Sequence, residues 1–350
     1  MAVELGLLEG FFGIPWSWEA RRHAVSFLAP HGYGFYLYAP KADPYLRKSW
    51  QEPHPAAERE ALIAFRDHCR GEGVRFGIGL TPFELHLQED WKAPLAARLD
   101  SLAELGADDL AILFDDMRGD LPDLAERQAA MVAFAAERSG ASRFFCCPSY
   151  YSNDPILDRA FGPRPENYLQ DLGRLLDPAV EVFWTGEEVC SREFSAGHLA
   201  PVAGQLQRKP FLWDNYPVND GALMSQHLHL RAFTGRPAGL PIAGHAINPA
   251  SQPLLSLIPA LTLAESHARG ADYAYGAAWD RAAEAVLGPD LARQVRADLL
   301  SLQDRGKDRL GARRETLRAK YAAVDHPAAR EIVDWLDGKW DVTDALVQTQ

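Results

Sequence analysis

The sequence predicts an α/β protein, a (β/α)8 TIM barrel with a small helical region at its C-terminus, and three features favour this fold class. First, short runs rich in β-forming residues recur at intervals of roughly 30 to 40 residues. Second, the segments between them, such as 55–73 and 91–105, place apolar residues at helical spacing. Third, polar and aromatic residues follow these runs at their C-terminal ends, where a barrel carries its functional residues.

The predicted strands are spread along the N-terminal three quarters of the chain. In order, they are 4–9, 34–38, 75–80, 110–114, 143–147, 181–184, 211–213 and 239–247. Eight strand–helix alternations over about 260 residues match the length and rhythm of a (β/α)8 barrel. A doubly wound open sheet would alternate similarly, but the glycine-rich phosphate-binding turn after the first strand is missing.

The character of the chain changes from about residue 270 onward. The stretch DLARQVRADLLSLQDR places Leu291, Val295, Leu299 and Leu302 on one helical face, with charges elsewhere. We therefore predict a barrel over 1–268 and a helical C-terminal region over 269–350. Packing on the barrel, homodimerisation through these helices and coverage of a partner subunit's cleft all remain open, so the oligomeric state is not predicted.

Composition restricts the class of protein. The formal net charge is -12 and the pI is near 5.4, which argues against a nucleic-acid or anionic-membrane surface. No apolar run reaches the length of a membrane span, and the first residues lack a signal-peptide pattern. The cysteines, Cys69, Cys146, Cys147 and Cys190, show no CxxC spacing. We expect a cytoplasmic protein with free thiols.

A pair of adjacent acids ends the fourth predicted strand. In ADDLAILFDDMRGD, residues 107–120, an apolar run leads directly into Asp115 and Asp116. Neighbouring carboxylates raise each other's tendency to be protonated, an arrangement that enzymes use for acid–base chemistry. Aspartate is also a favoured turn residue, so this stretch alone does not separate a catalytic pair from a solvated turn.

The other strand ends combine amides, aromatic rings and one lysine. They include Gly10, Lys41, Tyr150, Tyr151, Trp213, Asn215 and Asn248. Carboxylates and amides bind hydroxyl groups, and aromatic faces cover the apolar side of a sugar ring. This mixture suits a neutral, hydroxyl-rich ligand.

Six motifs then carry a resemblance to a known family. In chain order they are EGFFGIPWSWEAR, YLYAPKADPYLRKSW, LFDDM, WTG, WDNYPVND and INP, within roughly residues 3 to 265. Together they resemble the family-84 glycoside hydrolases, the group of O-GlcNAcases and bacterial β-N-acetylglucosaminidases. The resemblance implies a (β/α)8 catalytic domain that removes β-linked N-acetylglucosamine with retained configuration. It implies no metal and no organic cofactor.

The resemblance also implies roles for the acid pair. The substrate's 2-acetamido oxygen would attack the anomeric carbon and form an oxazoline intermediate, an exception to the usual two-carboxylate retaining scheme. Asp115 would orient the acetamido N–H and stabilise the developing positive charge. Asp116 would protonate the leaving oxygen and then deprotonate the incoming water. One carboxylate must therefore be ionised while the other is protonated.

The sugar contacts follow from the same resemblance. Asn215 would hydrogen-bond the acetamido group, and Tyr151 would hold its carbonyl, with Tyr150 as the alternative because the motif reads SYY. Asp220 would grip sugar hydroxyls. Trp213 would form an apolar wall, and the remaining hydroxyl contacts would come from Gly10, Lys41 and Asn248.

Structural alternatives stay open for several of these residues. Asn215 and Asp220 could cap loops through Asx-turns, Lys41 could be a solvated loop cation, and Asn248 before a proline could form a turn. The pair His227 and His229 could suggest a metal site, but the first strand offers no partner ligands, so we predict none.

Functional alternatives also stay open. The expected partner is a glycan or glycoprotein that carries N-acetylglucosamine. An enzyme of this fold could instead act on another N-acylated hexosamine or a hyaluronan-type glycan. A barrel that binds glycans without hydrolysing them is a further alternative, which the intact acid pair disfavours.

Overall fold

A computed structural model of the protein describes residues 3–342 and confirms the predicted barrel. Eight parallel strands close on themselves in chain order. They are β1 (Glu4–Glu9), β2 (Tyr33–Tyr38), β3 (Arg75–Leu80), β4 (Asp109–Leu113), β5 (Arg143–Cys147), β6 (Glu181–Trp184), β7 (Phe211–Asp214) and β8 (Gly244–Ile247). The C-terminal ends of all eight strands therefore meet at one end of the barrel.

The last strand is the one element whose predicted bounds were wrong by several residues. The sequence predicted a start at 239, whereas β8 begins at Gly244. Pro241 has no N–H to give to a ladder, and the Ile242 N–H donates to the Leu240 carbonyl at 2.9 Å, so the chain still turns there. The other seven predicted strands agree with the structure to within one residue at each end.

Helices fill most of the connections between strands and form the region after the barrel. They are α1 (Trp18–Leu28), α2 (Ala56–Gly71), α3 (Lys92–Ala103), α4 (Leu124–Arg138), α5 (Pro155–Phe161), α6 (Tyr168–Leu175), α7 (Ala196–Leu206), α8 (Pro253–Arg269), α9 (Tyr275–Leu299), α10 (Arg313–Ala322) and α11 (Pro327–Leu336). The connection from β7 to β8 differs from the predicted alternation. It is a long loop over 215–243, fully described, with a single short 3-10 turn at Met224–Gln226.

Aromatic rings fill the barrel interior below the strand ends. Phe145 stacks on Phe183 with ring centroids 4.8 Å apart, and both meet the edge of Phe211. A Cβ on Gly244 would lie 2.2 Å from the Phe211 ring, so only glycine fits beside it. This packing closes the interior and leaves the C-terminal end of the barrel as the place for a cavity.

The C-terminal helices pack on the end of the barrel that carries the long β7–β8 loop. Trp335 in α11 donates its indole N–H to the Ser225 carbonyl of that loop at 2.9 Å. Glu331 caps the start of α8 by accepting from the Leu254 and Leu255 amides at 2.9 and 3.0 Å. The division at residue 268 stays a prediction, and it falls in the last turn of α8. No helix within 3–342 is long and apolar enough to cross a membrane.

Candidate active site

A cavity opens at the C-terminal end of the barrel, and all nine site residues predicted from the sequence line it. These are Asp115 and Asp116 together with Gly10, Lys41, Tyr151, Trp213, Asn215, Asp220 and Asn248. They come from six of the eight strand ends, those of β1, β2, β4, β5, β7 and β8, and from the long loop after β7. Their grouping in one cavity agrees with the predicted location of the site at the C-terminal end of the barrel. The role of each residue stays a prediction.

The side chains of the two acids reach the same cavity because the backbone of Asp116 adopts a left-handed conformation. Successive residues of an extended strand point to opposite sides, so adjacent side chains would normally diverge. Asp116 instead has φ of 57°, in the left-handed region that residues other than glycine rarely adopt. Such a conformation costs about 1–3 kcal/mol and is characteristic of functional sites.

Lys41 neutralises one of the two acids. Its Nζ forms a buried ion pair with Oδ2 of Asp115 and lies 4.0 Å from Oδ2 of Asp116. The other oxygen of Asp115, Oδ1, is enclosed and accepts no hydrogen bond within the part of the chain that the structure describes. An enclosed acceptor without a donor costs about 1–3 kcal/mol, so this oxygen is suited to receive an N–H from a ligand.

The environment of Asp116 favours its protonated form. Burial raises the pKa of Asp116 above its ordinary value, and the neighbouring charge of Asp115 raises it further. Lys41, Arg47 and a hydrogen bond from Tyr151 oppose this rise without cancelling it. A carboxyl group with a raised pKa can hold a proton near neutral pH and deliver it as a general acid.

The structure shows which of the two adjacent tyrosines, Tyr150 or Tyr151, faces the cavity. The Tyr151 hydroxyl lies in the cavity and donates to Oδ1 of Asp116 at 3.1 Å. Tyr150 is fully buried outside the cavity, where its hydroxyl donates to the Gly162 carbonyl at 2.7 Å. Tyr151 is therefore the ring that can touch a ligand.

Two amides form a fixed relay across the ends of β7 and β8. Asn248 donates to Oδ1 of Asn215 at 3.0 Å and accepts from the Gly10 amide at 3.1 Å. Asn215 also accepts from the Trp213 indole at 3.0 Å and donates to the Val189 carbonyl at 2.8 Å. Because each NH2 group has two hydrogens, each amide keeps one donor for a ligand while the relay fixes its orientation.

Asp220 closes another side of the cavity. Its Oδ2 accepts from the Phe12 amide at 2.8 Å, which joins the long loop to the segment after β1. Burial raises the pKa of Asp220 to about 6, with a further contribution from Asp116. At neutral pH it is therefore mainly a carboxylate and can accept hydrogen bonds from hydroxyl groups.

An ion-pair cluster beneath the cavity fixes the end of β7. Asp214, with no exposed surface, is paired with Arg236 at 2.7 Å and accepts from Nε2 of His245 at 2.9 Å. Burial alone would raise the pKa of Asp214, but Arg236 and His245 hold it below the usual range. Arg236 also donates to the Ser191 carbonyl at 3.1 Å, so one guanidinium joins β7 to the loop after β6.

Some cavity residues were not singled out by the sequence analysis as ligand contacts. They are Phe12, Cys147, Thr185, Val189, Cys190 and Val218. These side chains contribute shape, and no sequence pattern marks such a contribution. Cys147 and Thr185 lie at strand ends, which is a weak signal, whereas Val189, Cys190 and Val218 lie further along the loops. Burial raises the pKa of the Cys147 thiol well above its ordinary value and that of Cys190 to about 12, so neither is an activated thiolate.

The histidine pair of the long loop has structural contacts. Nδ1 of His227 bonds the Gln303 carbonyl at 2.5 Å, and Nδ1 of His229 bonds the Pro217 carbonyl at 3.0 Å. Within residues 3–342, no three His, Cys, Asp or Glu side chains are grouped so that they could hold a metal ion.

Comparison with known sequences identifies the family of the chain. The sequence model of the β-N-acetylglucosaminidase (NAGidase) family matches residues 5–302. Protein O-GlcNAcase from Rattus norvegicus is 28% identical over 245 residues and that from Mus musculus 28% over 242 residues, each match covering 66% of this chain. The match covers only 26% of the length of each relative.

Solved structures extend the similarity to nearly the whole chain. A mutant of the Thermobaculum terrenum O-GlcNAc hydrolase is similar with a TM-score of 0.79 and 27% identity, over 96% of this chain and 80% of the other. CpGH84B has a TM-score of 0.79 at 23% identity, over 97% of this chain and 67% of the other, which supports the fold alone. The chain thus belongs to the β-N-acetylglucosaminidase family of glycoside hydrolases, the family-84 group that includes the O-GlcNAcases.

Proposed function

We propose that the protein is a retaining β-N-acetylglucosaminidase that hydrolyses terminal β-linked N-acetylglucosamine by substrate-assisted catalysis. One observation carries this proposal. Asp115, ion-paired with Lys41, presents an enclosed oxygen without a donor, and it lies beside Asp116, whose pKa is raised. The two neighbouring acids thus differ in environment in the way that one charged and one protonated carboxyl group require.

In the proposed first step, the acetamido oxygen attacks the anomeric carbon while the glycosidic C–O bond breaks. Asp116 gives its proton to the departing oxygen, and the resulting ring carries positive charge on its nitrogen. Oδ1 of Asp115 accepts the N–H and stabilises that charge. In the second step, Asp116 takes a proton from water as the water oxygen bonds to the anomeric carbon and the bond from that carbon to the acetamido oxygen breaks, which restores the acetamido group with overall retention.

The remaining cavity residues would position the sugar. We assign Asn215 and Tyr151 to the acetamido group, with Trp213 as the apolar wall beside it. Asp220 accepts from ring hydroxyls, and the other hydroxyl contacts come from Gly10, Lys41 and Asn248. The amide relay supports this assignment because it fixes the direction of each remaining N–H before the sugar arrives.

Protein O-GlcNAcases among the relatives favour a glycoprotein or glycan substrate over a small metabolite. We also propose a cytoplasmic location, on the acidic composition and the free cysteines. A different N-acylated hexosamine is the second candidate substrate, because Cys147, Val189 and Cys190 in the cavity wall could suit another acyl group.

The test is release of 4-methylumbelliferone from its β-N-acetylglucosaminide by wild type, Asp115→Asn and Asp116→Asn. A second substrate with a poor leaving group should be compared, because only that one needs strong acid assistance. We expect the activity of Asp116→Asn to fall about 100-fold or more on the substrate with the poor leaving group and less on the one with the good leaving group. The activity of Asp115→Asn should fall on both substrates.

Asp123→Asn is the matched control, because Asp123 is an exposed acid in the segment that follows the pair. Binding of N-acetylglucosamine without release of the aryl group by wild type would favour a glycan-binding barrel. Neither binding nor release would require a different sugar.

A further inference from the structure

The segment 225–231 of the long β7–β8 loop, SQHLHLR in sequence, lies between two parts of the molecule. On one side it contacts the turn that follows α9, in the C-terminal helical region. On the other side it contacts the start of its own loop, next to Asp220. The two histidines that could have suggested a metal site, His227 and His229, belong to this segment, and their ring contacts hold the loop in place instead.

The turn that follows α9 is a π-helical turn, Leu300–Asp304. Its backbone carbonyls face the segment 225–231: that of Leu302 accepts from the Leu228 amide at 3.0 Å, and that of Gln303 bonds Nδ1 of His227 at 2.5 Å. Such turns are rare and occur frequently at functional sites. Here the turn connects the C-terminal helical region to the loop that carries Asp220.

The side chain of Gln303 adds the strongest part of this connection. Its Oε1 accepts from the backbone amides of Leu230 and Arg231, each at 2.8 Å. The indole of Trp279, in α9, donates to the Leu230 carbonyl at 2.8 Å. A single side-chain oxygen that accepts from two consecutive amides fixes both the position and the direction of the loop backbone there.

Asn219 carries the connection from this segment to Asp220. Its side chain is buried, and Nδ2 donates to the His227 carbonyl at 3.0 Å and to Oε1 of Gln252 at 2.9 Å. Its Oδ1 accepts from the Ser251 amide at 3.0 Å. Both hydrogens of the NH2 group are thus used, and the next residue along the chain is Asp220.

We propose that Gln303 is a positioning residue for the hydrolysis: it holds the segment 225–231 so that Asn219 can aim Asp220 at the sugar hydroxyls. The inference rests on the proposed function, because that function assigns Asp220 to the ring hydroxyls. Asp220 needs such support because its loop over 215–243, all of it described, contains no α-helix. A displacement of about 1 Å at a group that orients a substrate can lower the rate markedly.

The test is the hydrolysis of 4-methylumbelliferyl β-N-acetylglucosaminide by variants of the full chain. Gln303→Leu removes the acceptor of the two amides and should lower kcat/KM about tenfold. Gln303→Glu keeps an oxygen for both amides and should retain most of the wild-type value. In an Asp220→Asn background the hydroxyl contact has lost its charge, so Gln303→Leu should lower kcat/KM there by less than about threefold.

Tyr321→Phe is the matched control in the same helical region. The Tyr321 hydroxyl donates to Oδ2 of Asp298 at 3.0 Å and so joins α10 to α9. This variant should lose stability and keep the wild-type kcat/KM. Thermal unfolding shows whether each variant is folded. If Gln303→Leu does not fold, His227→Phe takes its place in the comparison, because it keeps a ring and removes only the bond to the Gln303 carbonyl.

Equal losses from Gln303→Leu in the wild-type and Asp220→Asn backgrounds would overturn the proposal, since the loss would then not act through Asp220. A loss of the same size in Gln303→Glu or in Tyr321→Phe would also overturn it, because it would indicate a general effect of destabilising the helical region.

The same experiment separates this inference from the proposed function. If wild type hydrolyses the substrate and Gln303→Leu keeps full activity, only the role of Gln303 is contradicted. If wild type does not hydrolyse the substrate, the proposed function is contradicted, and the assignment of Asp220 to sugar hydroxyls is contradicted with it.

Discussion

The Tyr151 hydroxyl lies 3.1 Å from Oδ1 of Asp116, while the ring of Tyr150, one residue earlier, is buried away from the cavity. A hydroxyl that donates to a carboxylate stabilises its charged form and so lowers its pKa. Tyr151 therefore limits a rise in the Asp116 pKa that burial and Asp115 cause. The same contact fixes the direction in which the carboxyl group faces.

Replacing Tyr151 should shift the pH dependence of the reaction. In Tyr151→Phe, the pKa of Asp116 rises further, so the alkaline limb of kcat/KM on a poor leaving group moves to higher pH. The shift should be less than about one unit, because one such hydrogen bond contributes about 1 kcal/mol. Tyr150→Phe is the control: it should lose about 1 kcal/mol of stability and keep the wild-type profile. A shift in Tyr150→Phe and none in Tyr151→Phe would contradict this assignment.

Asp220 should destabilise the fold at neutral and alkaline pH. Its pKa is raised to about 6 in the folded protein, above the ordinary value expected in the unfolded chain. Between these two values the folded state binds more protons, so the free energy of unfolding falls as pH rises. Asp220→Asn keeps an oxygen for the Phe12 amide and removes the charge. It should raise stability more at pH 8 than at pH 4, by up to about 2 kcal/mol, while activity falls.

Urea unfolding at the two pH values measures this difference. The exposed Asp90 provides a control, because Asp90→Asn makes the same chemical change at a carboxylate that lies in solvent. An equal effect of Asp220→Asn at pH 8 and pH 4 would show that burial does not disfavour its charge.

Arg236 should be far more important to stability than its position in a loop suggests, because its side chain is buried against Asp214. Arg236→Met leaves the enclosed Asp214 without its main cationic partner, and loss of one member of a buried pair typically costs about 3–5 kcal/mol. Arg231→Met, in the same loop, breaks a partly exposed pair with Asp304 and should cost less than about 1 kcal/mol. Chemical unfolding of both variants measures the two losses in the free energy of unfolding. Similar losses in both variants would mean that the Asp214 cluster adds little to stability.

The sequence was sufficient for the barrel because each strand is a short apolar run with clear ends. The β8 start was the exception, since apolar residues before it resemble a strand and only the turn at Leu240–Ile242 shows that pairing has not begun. The absence of an α-helix over 215–243 was also not foreseen. That segment is held by contacts with the C-terminal helices, such as Ser225 with Trp335, and such long-range contacts leave no local pattern.

For the site, the nine residues assigned to it from strand ends and motifs all line one cavity. Tyr150 and Tyr151 could not be separated from sequence, because the choice depends on how the chain turns after β5. Val189 and Cys190 contribute shape from a loop and carry no chemical signature.

The most direct test of the central claim concerns the nucleophile in the first step. In a series of 4-methylumbelliferyl substrates whose N-acetyl group carries zero to three fluorine atoms, each fluorine withdraws electrons from the amide oxygen. If that oxygen attacks the anomeric carbon, wild type should hydrolyse the unsubstituted compound and kcat/KM should fall steeply with each added fluorine. Hydrolysis at a rate independent of fluorine content would contradict substrate assistance and assign the attack to a protein carboxylate or to water.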